Sequence, residues 1–331
     1  MNTGSAAVPR RILAIVVTRI GDSLLCTPAL RALKARWPES RLTVWAHPKR
    51  CDVLANLPFV DRLQPLGFSR RWRSRLGLAG RFDLALVFSD DPAQIALARR
   101  VASSVVAFAG RAAPAEGLTL VRQPADEHAA VARMSLLSPL GIVADDLRLA
   151  YRVSETERAW AETWRQGKGA PLVALQLHSF PTKAHRDWPF DHFVRFVELL
   201  CVAYPAAGFV VTGDALARPS AARLQALFGS RVVSMAGELD LRRTGALLSC
   251  VDLYVGVDTG PTHLAGALGV PMVALYHAAY PGRNLAPRQH PACTVIEHPQ
   301  TGGDVQAAEM ADIPPELVCS AATALLERTF S

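Results

Sequence analysis

The sequence predicts an α/β protein made of two successive parallel-sheet units, and three observations carry that reading. The chain opens in the order strand, helix, strand, helix, strand, which in short compass requires parallel pairing. After Gly167-Lys168-Gly169-Ala170-Pro171, which has the composition of a linker, an apolar run from Leu172 to Leu177 starts the pattern again. Near the carboxyl end, Leu253 to Val257 and Met272 to Tyr276 bracket a helix from Pro261 to Leu268 that is stopped by Gly269. The turn Asp258-Thr259-Gly260 therefore sits at the carboxyl end of a strand and the amino end of a helix. Parallel sheets bind ligands there, and the free N–H groups of the helix start suit a phosphate. Taken alone, Asp258 and Thr259 would also serve as helix caps.

The elements follow in order. Arg11 to Val17 is the first strand, and a helix follows with Leu24, Leu25, Ala29, Leu30 and Leu33 on one face. Arg41 to Ala46 is the second strand. Pro48 to Leu57 reads as a helix and Val60 to Leu66 leads to a short strand. Ser69 to Arg81 is a basic interruption. Phe82 to Phe88 and Val105 to Phe108 are strands, Gly110 to Pro124 a loop, and Asp126 to Leu137 a helix. Ser154-Glu155-Thr156-Glu157 has capping-box form. We expect a first domain over residues 1–166 and a second over 167–331. Within the second, strands are expected at 172–177, 209–212, 232–233 and 295–296, with a terminal helix at about 314–328.

Composition narrows the function classes. Of 331 residues, 50% are apolar, enough for two cores. No apolar run approaches the roughly 18–20 residues of a membrane span, and the strand at 12–17 is too short for a signal-peptide core. A cytoplasmic protein is expected. The net charge of +7 favours an anionic partner such as a nucleotide, a phosphorylated substrate or a membrane surface. The cysteines 26, 51, 201, 250, 293 and 319 lack metal or redox spacing and read as core thiols. Neither half shows G-x-G-x-x-G after a strand, which argues against a nicotinamide oxidoreductase.

Several motifs together carry a resemblance. Arg19-Ile20-Gly21-Asp22, Thr27-Pro28-Ala29-Leu30-Arg31-Ala32-Leu33, Trp37-Pro38 and Pro58-Phe59-Val60-Asp61 stand in the first half. Trp188-Pro189-Phe190-Asp191-His192-Phe193 and Asp258-Thr259-Gly260-Pro261-Thr262-His263-Leu264-Ala265 stand in the second. In this order they resemble the lipopolysaccharide heptosyltransferases of glycosyltransferase family 9. The resemblance implies a GT-B fold, with two Rossmann-like domains facing across a cleft and the last helix crossing back to the first. It implies an acceptor in the first domain, a nucleotide-sugar, ADP-heptose, in the second, and inversion at the anomeric carbon with no metal and no bound cofactor. It also implies the lipopolysaccharide inner core as acceptor and work at the cytoplasmic face of the inner membrane, without nucleic acid.

Residue roles follow from that resemblance. Asp22 is the expected general base, with a helix cap as its plainer role. Thr259, Gly260 and Thr262 would offer amides to the leaving diphosphate, while Asp258 would orient a sugar hydroxyl or hold the turn and His263 would touch the nucleotide-sugar or fill the interdomain face. Ser179, Thr182, Lys183 and Arg186 would meet the phosphates. The family's Lys, two residues before Trp-Pro, is here Arg186, a fork in place of a point charge. Gly21 and the basic Arg70, Arg71 and Arg73 would face an anionic acceptor or a membrane headgroup layer. Ser89-Asp90-Asp91 is read as a helix cap rather than a metal motif. A protein, capsule or small natural-product acceptor is the nearest alternative, and a non-catalytic nucleotide-sugar-binding protein a more distant one.

Overall fold

A computed structural model describes residues 8–67, 81–124, 126–300 and 302–330. Arg70, Arg71 and Arg73 lie outside the described residues. The chain divides into two compact units, Met1–Arg152 and Val153–Ser331.

The first unit runs β1 (Arg11–Val16), α1 (Ile20–Leu25), α2 (Thr27–Arg36), β2 (Arg41–Ala46), β3 (Arg62–Pro65), β4 (Phe82–Val87), α3 (Pro92–Val101), β5 (Ala102–Phe108), β6 (Leu118–Val121) and α4 (Ala129–Met134). Its sheet has the order β3-β2-β1-β4-β5-β6, and every pairing is parallel. Ile12 to Val16 are all buried, as a strand covered by helices on both faces requires. Strand order reverses between β1 and β4, so the loops after those two strands border the crevice where such sheets take ligands.

The second unit runs α5 (Glu155–Arg165), β7 (Leu172–Gln176), α6 (Phe190–Ala203), β8 (Gly208–Thr212), α7 (Arg218–Phe228), β9 (Val232–Ser234), α8 (Leu241–Leu248), β10 (Leu253–Val257), α9 (Gly260–Leu268), β11 (Met272–Tyr276), α10 (Gly282–Leu285), β12 (Cys293–Glu297) and α11 (Pro315–Phe330). Its all-parallel sheet, β12-β11-β10-β7-β8-β9, repeats the winding of the first, with the reversal between β7 and β10.

Three expectations are corrected. The helix after β1 is broken at Cys26 into α1 and α2. Pro28 has no N–H, and its ring would crowd the Leu24 carbonyl, which Thr27 Oγ1 takes instead at 2.6 Å. The helix expected at 48–57 shrinks to one 3₁₀ turn, Cys51–Leu54, before Asn56 turns left-handed at φ 63°. The stretch expected as a loop between 110 and 124 contains the edge strand β6, too short to show alternation. Helix α5 lies in the second unit, packs on α8 and is tied to that unit by charge. Arg242 Nη2 lies 2.6 Å from Glu157 Oε2, and Arg165 Nη2 lies 2.8 Å from Asp252 Oδ2.

Two of the resemblance motifs prove to be structural pins. Asp61 binds Lys34 Nζ of α2 at 2.8 Å and accepts from the Leu42 amide of β2 at 2.7 Å. Trp188 is buried, stacks edge-on against Phe193 and donates its indole N–H to the Ile313 carbonyl at 2.9 Å. That bond ties the segment before α11 to the start of α6. Helix α11 packs along α6 and against β10 and β11, with Val318, Ala322 and Leu326 fully buried in the core of the second unit.

Glu157 closes the capping box with Ser154 as well as pairing with Arg242. The Arg242 hydrogen bond, set against partial desolvation, holds its carboxyl at about 2, below the usual 4.5. A depressed folded-state pKa stabilises above the unfolded value and ceases to do so as pH falls through the folded one. Glu157→Gln keeps an acceptor for the cap but loses the charge. It should melt earlier than the parent at pH 7, and thermal melts at stepped pH should show the gap closing between about 4.5 and 2.

Candidate active site

Each unit gathers polar groups at its strand-order reversal. In the first, the loop after β1 leads into α1, where Gly21 is buried and Asp22 lies in the first turn. Arg19, not Asp22, is the N-cap, so the plainer role for Asp22 is not the one the fold uses. Its Oδ1 is 2.5 Å from Arg133 Nη2 of α4, and Arg133 Nη1 in turn donates to the Ala129 carbonyl at 2.8 Å. The guanidinium is thus anchored on its own helix and holds one carboxylate oxygen. Asp22 Oδ2 has no hydrogen-bonding partner among the described residues, and the side chain is 37% exposed. The result is an oriented carboxyl group with one oxygen left open by the protein. Below it, burial pushes the Cys26 thiol up to about 12, so this sulfur stays protonated and inert. On the neighbouring loop, Asp91 caps α3 through the Ala93 amide at 2.9 Å, as expected.

In the second unit the loop after β7 is fastened by Asp187. That carboxylate accepts from the Ser179 amide at 2.6 Å and from His178 Nδ1 at 3.1 Å, while His178 Nε2 meets Ser220 Oγ of α7 at 2.7 Å. Ser179 spends its hydroxyl on the Lys183 carbonyl at 2.7 Å, so it shapes the turn first. The 3₁₀ turn Pro181–Arg186 then displays exposed Thr182 together with Lys183 and Arg186.

Arg186 reaches the loop after β10. Its Nη1 lies 2.7 Å from Asp258 Oδ2, and both side chains are largely buried, at 13% and 7% exposure. His263 Nε2 stands 3.7 Å from the other Asp258 oxygen. Thr259 is the N-cap of α9 but makes no side-chain cap bond, so neither Asp258 nor Thr259 closes this helix start with its side chain. Thr262 turns inward, with its hydroxyl 2.5 Å from the Val257 carbonyl and 2.9 Å from Tyr254 Oη. Only its amide, with that of Gly260, can face a ligand. The structure thus brings Lys183, Arg186, Asp258 and His263 together across the β7/β10 reversal and keeps Ser179 and Thr262 for support. It adds Arg133, Asp187, Ser220 and Tyr280, which the sequence reading missed. Tyr280 alone carried a usable signal, its place just beyond β11.

This arrangement suits an anionic ligand at the start of α9, where a helix dipole meets a largely buried guanidinium, with Lys183 on the same 3₁₀ turn as Arg186. The family model described as glycosyltransferase family 9 (heptosyltransferase) matches residues 71–306, and the chain belongs to that family of glycosyltransferases. Lipopolysaccharide heptosyltransferase 3 of Escherichia coli strain K12 is 23% identical over 283 residues, covering 78% of this chain and 80% of its own length. Lipopolysaccharide core heptosyltransferase OpsX of Haemophilus influenzae is 20% identical over 281 residues, covering 81% and 79%. Among solved structures, the family 9 glycosyl transferase of Veillonella parvula DSM 2008 superposes with a TM-score of 0.81 at 20% identity, over 96% of this chain and 97% of that one. ADP-heptose lps heptosyltransferase II of E. coli gives 0.78 at 20% identity, over 97% and 100%. The shared fold is GT-B, with two Rossmann-like domains.

The Arg186–Asp258 pair supplies a test of the site's construction. Removing one member of a buried pair leaves the other charge uncompensated, at about 3–5 kcal/mol. Asp258→Ala should lower the unfolding free energy extrapolated from urea titration by about 3–5 kcal/mol, read as a fall in the midpoint at unchanged slope. Adding Arg186→Leu should recover much of the loss, because the stranded charge is then gone.

Proposed function

We propose that this chain is an inverting, metal-independent heptosyltransferase that moves heptose from ADP-L-glycero-β-D-manno-heptose to a hydroxyl of the lipopolysaccharide inner core. The observation that carries the reading is the cationic cluster of Lys183 and Arg186 beside Asp258 at the start of α9. A departing nucleoside diphosphate gains negative charge as the glycosidic bond breaks. Fixed donors already aimed at that position stabilise the charge without rearrangement. The relatives support the choice of sugar and acceptor, since their names specify heptose transfer to lipopolysaccharide.

Asp22 is the proposed general base. Inversion needs a base that takes the proton from the acceptor hydroxyl as it attacks the anomeric carbon from the side opposite the diphosphate. With Oδ1 held by Arg133, Oδ2 is the oxygen that would accept it. His263 and Asp258 would hold sugar hydroxyls, and the amides of Gly260 and Thr262 the phosphates. Gly21 and the arginines at 70, 71 and 73 would meet an anionic glycolipid on the cytoplasmic face of the inner membrane. Among the described residues no helix is long and apolar enough to cross a membrane, so that contact would be peripheral.

Two measurements test this. In a thermal-shift panel of ADP-, UDP- and GDP-sugars, ADP-heptose should raise the melting temperature most, because it binds the native state alone. Stabilisation by a UDP-sugar with none by ADP or ADP-heptose removes the donor assignment. Asp22→Asn preserves shape, so single-turnover transfer at saturating donor should fall by about 10²–10⁴-fold with donor affinity and melting temperature nearly unchanged. A variant of parental rate would leave Asp22 as no more than the partner of Arg133.

A further inference from the structure

An arginine at position 186 makes a demand on the site that a lysine would not. A lysine ammonium is a point charge that serves from many angles, whereas a guanidinium is planar and serves as a fork only when its plane is set. Asp258 fixes one edge of Arg186, through Nη1. It does not fix rotation about that contact. The group that does is Tyr280, in the turn between β11 and α10.

The Arg186 guanidinium carbon lies 3.4 Å from the centre of the Tyr280 ring. Lys183 Nζ stands 5.1 Å from the same centre and 3.4 Å from the phenol oxygen. The His185 ring lies 6.0 Å away. Three side chains of one 3₁₀ turn thus converge on one aromatic ring. The ring is itself held: the Tyr280 amide donates to the His277 carbonyl at 2.9 Å and the Ala279 amide to His277 Nδ1 at 3.1 Å. His277 Nε2–H donates to the Ala308 carbonyl at 2.9 Å. A stacked face accepts none of the in-plane N–H groups of arginine. Arg186 Nε is buried and has no hydrogen-bonding partner among the described residues.

We propose that Tyr280 is a positioning residue for the donor diphosphate: its ring sets the plane of Arg186 so that the N–H groups not taken by Asp258 meet phosphate oxygens together. This rests on the reading of Arg186 as a donor-site residue. Tyr280 is assigned no contact of its own with sugar or base. It acts through Arg186, and secondarily by keeping Lys183 nearby.

Titration calorimetry of the full chain with ADP decides the matter, using the parent, Tyr280→Leu, Tyr280→Phe, Arg186→Ala and the double variant Tyr280→Leu/Arg186→Ala. Tyr280→Leu should weaken ADP by about tenfold, the scale of a desolvated cation–aromatic contact. Tyr280→Phe keeps the stack and should stay within about threefold of the parent. In the Arg186→Ala background, Tyr280→Leu should weaken ADP no further. Parental affinity in Tyr280→Leu, or the same loss in both backgrounds, overturns the inference and leaves the donor reading standing. A parent that binds no ADP overturns both, and that outcome is visible before any variant is made.

Discussion

Everything at the two candidate sites depends on one constraint of parallel pairing. Parallel strands must be joined by crossovers, so every strand in a sheet points the same way and its following loop emerges at the same edge. Where strand order reverses, the crossovers leave in opposite directions and two loops stand apart with nothing covering them. In the first unit those loops carry Asp22 and Asp91. In the second they carry Arg186 and Asp258. Residues 72 positions apart meet because β7 and β10 are neighbours in register, Leu253 beside Val173 through Gly256 beside Gln176.

Charge then settles what each edge can do. The second unit buries an arginine and an aspartate against each other, a costly arrangement for stability that persists only where geometry and packing are good. The pair leaves the guanidinium part-used: Asp258 meets one N–H edge and an aromatic ring one face. The first unit does the reverse. There the arginine is the anchored member and the carboxylate is part-used, with one oxygen toward solvent. One edge therefore offers spare donors and the other a spare acceptor, the two needs of a reaction that releases an anion and removes a proton.

Much of this was legible in the sequence. Unbroken apolar runs such as Leu253 to Val257 mark doubly covered strands, and Gly269, at φ 73°, marks the end of α9 as glycine usually does. The turn at Asp258 could be placed from its flanks alone. What escaped was set by contacts distant in sequence. Arg133 pairs with a residue 111 positions earlier, and Ser220 with one 42 positions earlier, and neither lies in a local pattern. β6 forms because β5 offers it an open edge, not because four residues insist on extension. The break at Cys26 is different. Pro28 announced it, and the apolar periodicity through Leu33 masked it.

The Asp187 clamp has a consequence for the timing of disorder. The turn at 181–186 is fastened at His178 and Ser179 through one carboxylate, and the next residue, Trp188, is sealed in the core. The conformational entropy of this turn is therefore surrendered when the chain folds, not when a ligand arrives. A small anion meeting Lys183 and Arg186 need order little beyond itself. Such a surface trades adaptability for speed of capture: it suits one charge spacing and is slow to accommodate another.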